Sequence, residues 1–223
     1  MYKGIIGDIS INSGDSNSKK FWTEQSVTHF KQNNQYRNFV NDLMQSMDDT
    51  IIRLDIMEGD LGIEGTNLSR KRDFPVTYRR LGEEQTLFSL EFEEADGTQK
   101  IFAISYAIYT ALKNGRTYII DEFDAFMHPK LTRMIISLFH SEGAHPQSQL
   151  VFVTHDTNIL DATLLRRDQI TFVEKTTNGA SEIFDLSDIK GVRANDLFEK
   201  NYLKGSYGGL PYLKNPENII FNG

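Results

Sequence analysis

Cysteine is absent from this 223-residue chain. That absence removes disulfides, zinc–thiolate sites and thiol nucleophiles together, and it suits a protein of the cytoplasm. Membrane-spanning length is also missing. No apolar run approaches the roughly 20 residues that a helical span needs, and Met1-Tyr2-Lys3-Gly4 does not open a signal peptide. Positive charge is in short supply: 24 Lys and Arg stand against 31 Asp and Glu, a formal charge of −7. The molecule as a whole therefore has no basic nucleic-acid footprint. Internal repeats and low-complexity tracts are missing too. What the chain does have is core material. An apolar share of 39% with 11% aromatics rules out global disorder, and the length suits one large domain or a core with an inserted arm.

The first 92 residues read as an arm and a small antiparallel sheet. Residues 2–12 form a short strand, and after a polar turn Ser18 caps a long helix from Lys19 to about Met47. Phe39, Val40, Leu43, Met44 and Met47 recur at helical spacing, whereas Lys31 to Asn34 is polar all round, so the helix packs by one face or projects as an arm. Ile52, Leu54 and Ile56 alternate as a strand that runs into a Gly-rich turn over residues 59–65. Ser69 to Arg80 follows, the only dense basic cluster, with Phe74 and Tyr78 interleaved. Arg70, Lys71, Arg72, Arg79 and Arg80 would meet phosphates in a nucleic-acid binder; the commoner reading is a solvated loop and an edge strand, to which Pro75 is suited. Thr86 to Phe92 alternates again.

From Gly97 the period changes. Ile101, Ile104, Ile108 and Leu112 form one helical stripe, ended by Asn114-Gly115. The apolar run Tyr118-Ile119-Ile120 then stops in two adjacent carboxylates, Asp121 and Glu122. A helix from about Pro129 to Phe139 intervenes before Leu150-Val151-Phe152-Val153 stops in Thr154-His155-Asp156. A short helix over residues 157–164 and a terminal hairpin about Asn178-Gly179 complete the pattern. Alternating strands and helices argue α/β with mostly parallel central strands whose ends carry the site. The expected division is residues 1–92 as arm and subsheet and 93–223 as the lobe with the chemistry.

Nucleotide hydrolysis asks for a Mg²⁺ ligand, a group that activates water and a sensor of the terminal phosphate. Magnesium takes hard oxygen ligands and keeps several waters, so one carboxylate at a strand end suffices, and Asp121 fits. Glu122 fits the general base, and His155 can donate to a phosphate oxygen. Glu94-Ala95-Asp96-Gly97-Thr98-Gln99 opens a helix, and free N–H groups at a helix start favour anions. Each feature alone is an ordinary strand end or helix start; their order within one α/β unit is what points to chemistry.

The segments EADGTQKIFAISYAI, TYIIDEFDAFMHPKL and LVFVTHDTNILD together resemble the ABC-like ATPases of the AAA-family ATP/GTP phosphatase group. These occur in abortive-infection and other anti-phage systems and are relatives of SMC proteins. The resemblance spans about Glu91 to Pro211. It implies a P-loop NTPase core, ATP and Mg²⁺ as cofactors, and a homodimer or higher oligomer with nucleotide sandwiched between copies. It also implies a toxin or nuclease effector as partner. By the resemblance Glu94 to Gln99 is the signature loop, with Asp96, Gly97, Thr98 and Gln99 meeting a partner's nucleotide. Asp121 and Glu122 are then the Walker B pair, Ala125 to His128 the D-loop and His155 the switch histidine.

Two departures stand out. Ala95 occupies a position where such signatures commonly carry Ser, and no GxxxxGK[ST] occurs anywhere in the 223 residues. The nearest stretch, Gly14 to Lys20, lacks the second Gly before Lys. The expectation is therefore the C-terminal part of an ATPase, lacking its phosphate-binding loop and first strand and inactive alone. The alternative is a degenerate subunit that scaffolds an effector without turning over nucleotide. A metal-dependent nuclease on Asp121, Glu122 and Asp124 would want a DxD pair of the Toprim type, which the chain does not contain.

Overall fold

The computed structural model describes residues 9–12, 16–62 and 69–211. Residues 2–8 of the strand expected over 2–12, the Gly14-Asp15 start of the P-loop-like stretch and residues 63–65 of the turn expected over 59–65 lie outside them. The chain divides into two compact units, Met1–His155 and Asp156–Gly223. That division differs from the expected one at residue 92, because the helices of the first part pack on the helix that opens the second and the subsheet packs on those helices.

In the first unit, strand β1 (Ile9–Asn12) pairs in parallel with β5 (Thr117–Asp121), which pairs in parallel with β6 (Gln149–Phe152). The register sets Asn12 beside Asp121 and Ile120 beside Phe152. The order β1-β5-β6 leaves β5 central, and its Tyr118 and Ile120 are fully buried. Those two share one face, and Ile119 on the other is half-buried, so the segment reads as a continuous apolar run rather than an alternation.

Helix α3 (Asp96–Asn114) is the core of this unit. Its predicted stripe proves too narrow: Phe102, Ala103, Ser105, Ala107 and Ala111 are buried alongside Ile101, Ile104 and Ile108. Gly115 in the left-handed region (φ 66°) stops it, donating its N–H to Ala111. The first two helices, α1 (Ser16–Gln32) and α2 (Asn34–Met47), cover α3 rather than project. Ser26 Oγ donates to the Ala103 carbonyl, and Tyr36 Oη meets Ser105 Oγ at 2.6 Å.

The single long helix expected here is two. Asn33 is extended (φ −127°, ψ 105°), and its side chain accepts from the backbone N–H of Gln35 and Tyr36, capping α2 in the middle of the all-polar stretch. With no apolar residue holding Lys31 to Asn34 against a neighbour, an N-cap there costs no packing.

Strands β2 (Ile51–Gly62), β3 (Ser69–Leu81) and β4 (Glu84–Ser89) form the antiparallel subsheet, with β3 in the middle. A register shift between Ile51 and Arg53 explains why Ile51 and Leu54, three apart, are the buried pair instead of Ile52 and Leu54. The basic cluster is thus a central strand over residues 76–81, not an edge. Pro75 sits where the pairing with β4 runs out, and its carbonyl accepts from Leu90 N–H.

The second unit holds the expected hairpin, β7 (Thr171–Lys175) with β8 (Ser181–Asp185), turned at Gly179 (φ 84°). Phe172 packs on Phe184 and stacks on Tyr202, just inside helix α5 (Phe198–Leu203). The helix expected over 157–164 is only one 3₁₀ turn, Thr157–Ile159. Asp161 accepts from both Thr163 N–H and Thr163 Oγ, a local turn that competes with helix continuation.

Candidate functional site

The two parallel neighbours β5 and β6 end on the same side of the sheet, and the residues singled out for chemistry stand there. Asp121 closes β5 and is exposed; its Oδ1 accepts from the N–H of Glu122 at 2.9 Å. The ladder runs one step past β6, since Val153 N–H donates to Ile120 and Phe123 N–H donates to Val153. His155 follows two residues on, exposed, its N–H donating to Asp124 Oδ1 at 3.3 Å. Asp121 and Glu122 therefore stand at the end of β5 and His155 just beyond β6, on the same side of the sheet.

The turn that carries the acids is strained. Glu122 (φ 49°) and Phe126 (φ 63°) are non-glycine residues in the left-handed region. Such conformations cost about 1–3 kcal/mol each and persist only where the surroundings over-determine them. Phe123, fully buried against Phe152, supplies one anchor. His128 supplies another at the far end, its Nδ1 accepting from Lys130 N–H to cap helix α4 (Pro129–Phe139).

The start of α3 comes to this turn. A Cβ on Gly97 would lie 2.7 Å from the Phe126 carbonyl oxygen, so only glycine allows the approach. Three residues on, Lys100 is buried (6% exposed) and its Nζ donates to the carbonyls of Glu122, Phe123 and Ala125 at 2.9, 3.1 and 2.9 Å. Burial pulls its amine down to about 8, against the opposing pull of the Asp124 and Glu122 carboxylates. Sequence reasoning missed Lys100, although it sits four and eight residues before Ile104 and Ile108 on the buried stripe.

The predicted helix-start residues divide by role. Asp96 is exposed, whereas Thr98 is turned inward at 8% exposed. Gln99 is occupied in holding the loop: its Nε2 donates to the carbonyls of Glu94 and Glu91, and its Oε1 accepts from Lys19 Nζ. Glu94 is buried, and the Arg79 guanidinium meets both of its oxygens at 2.7 Å while also reaching Asp48 and Thr50. Thr77 Oγ donates to the same carboxylate. This removes Arg79 from the basic patch, and Arg72 is paired with Glu91. Lys71 and Arg80 are exposed.

Beside these residues lies a cleft of about 110 Å³ lined by Lys19, Trp22, Asp96, Lys100, Ala103 and Phe126, among others. Among the described residues no group of three or more His, Asp or Glu is placed to hold a metal ion, and no helix is long and apolar enough to cross a membrane.

Comparison with known proteins gives a family and a fold. The family model described as "AAA domain, putative AbiEii toxin, Type IV TA system" matches residues 7–161, more than half of the chain. No curated protein matches by sequence. One solved structure, from work on ATP-driven dimerization and DNA-stimulated activation of SMC ATPases, is similar with a TM-score of 0.50 at 11% identity. The match covers 81% of this chain and 96% of that one. At that identity the similarity speaks to fold alone, an α/β core of the P-loop NTPase kind.

Proposed function

The chain belongs to this AAA-domain family of the AbiEii-toxin type, and from that premise we propose that it is an ATP-hydrolysing module of the ABC-like kind. The observation that carries the reading is the shared strand-end cluster: Asp121-Glu122 on β5 and His155 beyond β6, with the start of α3 packed against the turn between them. In this role Glu122 orients the attacking water and accepts its proton. His155 donates to a terminal phosphate oxygen, and the N–H groups at the start of α3 receive phosphate from a second copy. Asp96 and Gly97 front that surface; Thr98 and Gln99 support it from behind.

Asp121 fits the Mg²⁺ of such a site. It offers an exposed hard oxygen donor at a strand end, and magnesium takes such oxygens while keeping several waters. Bound with nucleotide, that ion neutralises charge on the phosphate oxygens. Because no GxxxxGK[ST] occurs in residues 1–223, the phosphate cradle is supplied from outside this sequence. The module serves as sensor or motor in an anti-phage, abortive-infection system, as a homodimer or larger oligomer acting with a toxin or nuclease effector in the cytoplasm.

A second reading has the same missing loop in its favour: a subunit that scaffolds an effector without turnover. Hydrolysis of ATP by the chain, alone and with the polypeptide encoded immediately upstream, separates the two. The enzyme reading expects hydrolysis in the mixture, lost in Glu122→Gln with nucleotide still bound. Absence of hydrolysis in both samples, with Glu122→Gln indistinguishable from wild type in nucleotide binding and oligomeric state, would leave the scaffold.

A further inference from the structure

We infer that Lys100 is the positioning residue that holds the Asp121–Phe126 turn in the shape that aims Glu122, clamping three converging backbone carbonyls onto helix α3. The inference deepens the ATPase reading and rests on it for the meaning of "aims", though not for the clamp itself.

An ammonium group has three N–H donors and no acceptor. All three of Lys100 are spent on Glu122, Phe123 and Ala125, with the side chain buried. Three carbonyl oxygens pointed at one place repel each other unless a cation sits between them, and a turn with Glu122 and Phe126 both at positive φ does not hold itself. The Glu122 carbonyl is one of the three, so the peptide that sets the direction of the Glu122 side chain is fixed from α3. Gly97, three residues back on the same face, presses on the Phe126 carbonyl. The helix thus grips the turn at both ends.

The charged groups around the amine are consistent with a clamp. Asp124 and Glu122 face it from the turn, and Lys19 of α1 and Asp96 of α3 line the cleft beside it. Guanidinium cannot replace it: a planar fork of five donors does not converge on one point as an ammonium does.

The test compares wild type, Lys100→Met and Lys100→Arg by backbone hydrogen exchange and, in the hydrolysing preparation, by kcat and KM for ATP. A clamp predicts exchange about tenfold faster or more over residues 121–127 in both variants, with the β2–β3–β4 sheet unchanged. It also predicts kcat lower by about 10- to 100-fold with KM within a factor of about two, the effect of misplacing a catalytic group by around 1 Å. Exchange that rises uniformly across the first unit, or not at all at 121–127, overturns the inference. So does failure of both variants to fold, which would make Lys100 a core residue. Glu122→Gln serves as reference: if it leaves hydrolysis unchanged, the ATPase reading falls while the exchange data still decide the clamp.

Discussion

Arg79 and Glu94 give the sharpest energetic prediction. Glu94 opens the loop that precedes α3, and its side chain is 3% exposed; Arg79 reaches it from the middle of β3 with its own side chain 15% exposed. The pair is bidentate, with both N–O distances 2.7 Å. Taking one member of a buried ion pair away costs about 3–5 kcal/mol, because the other charge is left dehydrated and unmatched. Arg79→Met should cost this much, since among the described residues the Glu94 carboxylate would keep only the Thr77 hydroxyl. Glu94→Leu should cost less, about 1.5–3 kcal/mol, because Arg79 retains Asp48 and Thr50. The double variant Arg79→Met/Glu94→Leu should recover much of the loss, with a coupling of at least about 2 kcal/mol between the sites. Urea denaturation reads all three. With a slope of about 2 kcal/mol/M, the Arg79→Met midpoint should fall by about 1.5–2.5 M. Single variants costing under about 1 kcal/mol, with additive effects, would show the pair to be an ordinary solvated bridge and refute the reasoning.

Gly97→Ala should destabilise by about 1–3 kcal/mol, since its Cβ would press the Phe126 carbonyl at 2.7 Å, whereas Gly143→Ala, with open space around it, should not for steric reasons; thermal melting checks both. The Asp48 carboxyl is raised by partial burial, but its hydrogen bonds to Thr50 and Arg79 outweigh this and hold it below its ordinary 3.8. Its contribution to stability is therefore full above the unfolded value and is lost as pH falls through the lower folded one, so Asp48→Asn should flatten the acid limb of a stability profile below about pH 4.

How far the sequence reveals this molecule depends on which force sets each element. Tyr118-Ile119-Ile120 is legible because a central parallel strand is apolar throughout and the polar residue ending it stands out, and Leu150-Val151-Phe152 keeps the same apolar run although Val151 is 51% exposed. The end of α3 is legible because Gly115 is needed at positive φ. The break at Asn33 is not, since an all-polar stretch satisfies a continuous helix and a capped one equally. Arg79 is also hidden. Arg79 and Arg80 are adjacent on a strand, so one must point each way, and composition does not say which one meets a buried acid. Lys100 was hidden by its chemistry: lysine in a helix near a loop reads as solvated, and only its fourfold spacing to Ile104 and Ile108 marks it as facing inward.

The same contrast bears on how the site holds its shape. Apolar burial fixes the strands, but it cannot set the direction of a side chain on a turn, because burial is nearly indifferent to rotation of an exposed peptide. Directional contacts do that here, and three of them come from one side chain of α3, Lys100. The helix is tied to the subsheet through Glu94 and Arg79 by way of Gln99, and to the Asp121–Phe126 turn through Gly97 and Lys100. Subsheet, loop and acids are thus joined in series by polar links with little play in them. A force on the loop that precedes α3, such as a second copy bringing phosphate to it, has a direct route to the peptide that orients Glu122. If that route operates, Arg79→Met should lower hydrolysis as well as stability, although the side-chain partners of Arg79, namely Glu94, Asp48 and Thr50, lie outside the turn. A variant that loses stability to the same extent elsewhere in the subsheet, such as Leu54→Ala, should leave the turnover of the folded fraction intact.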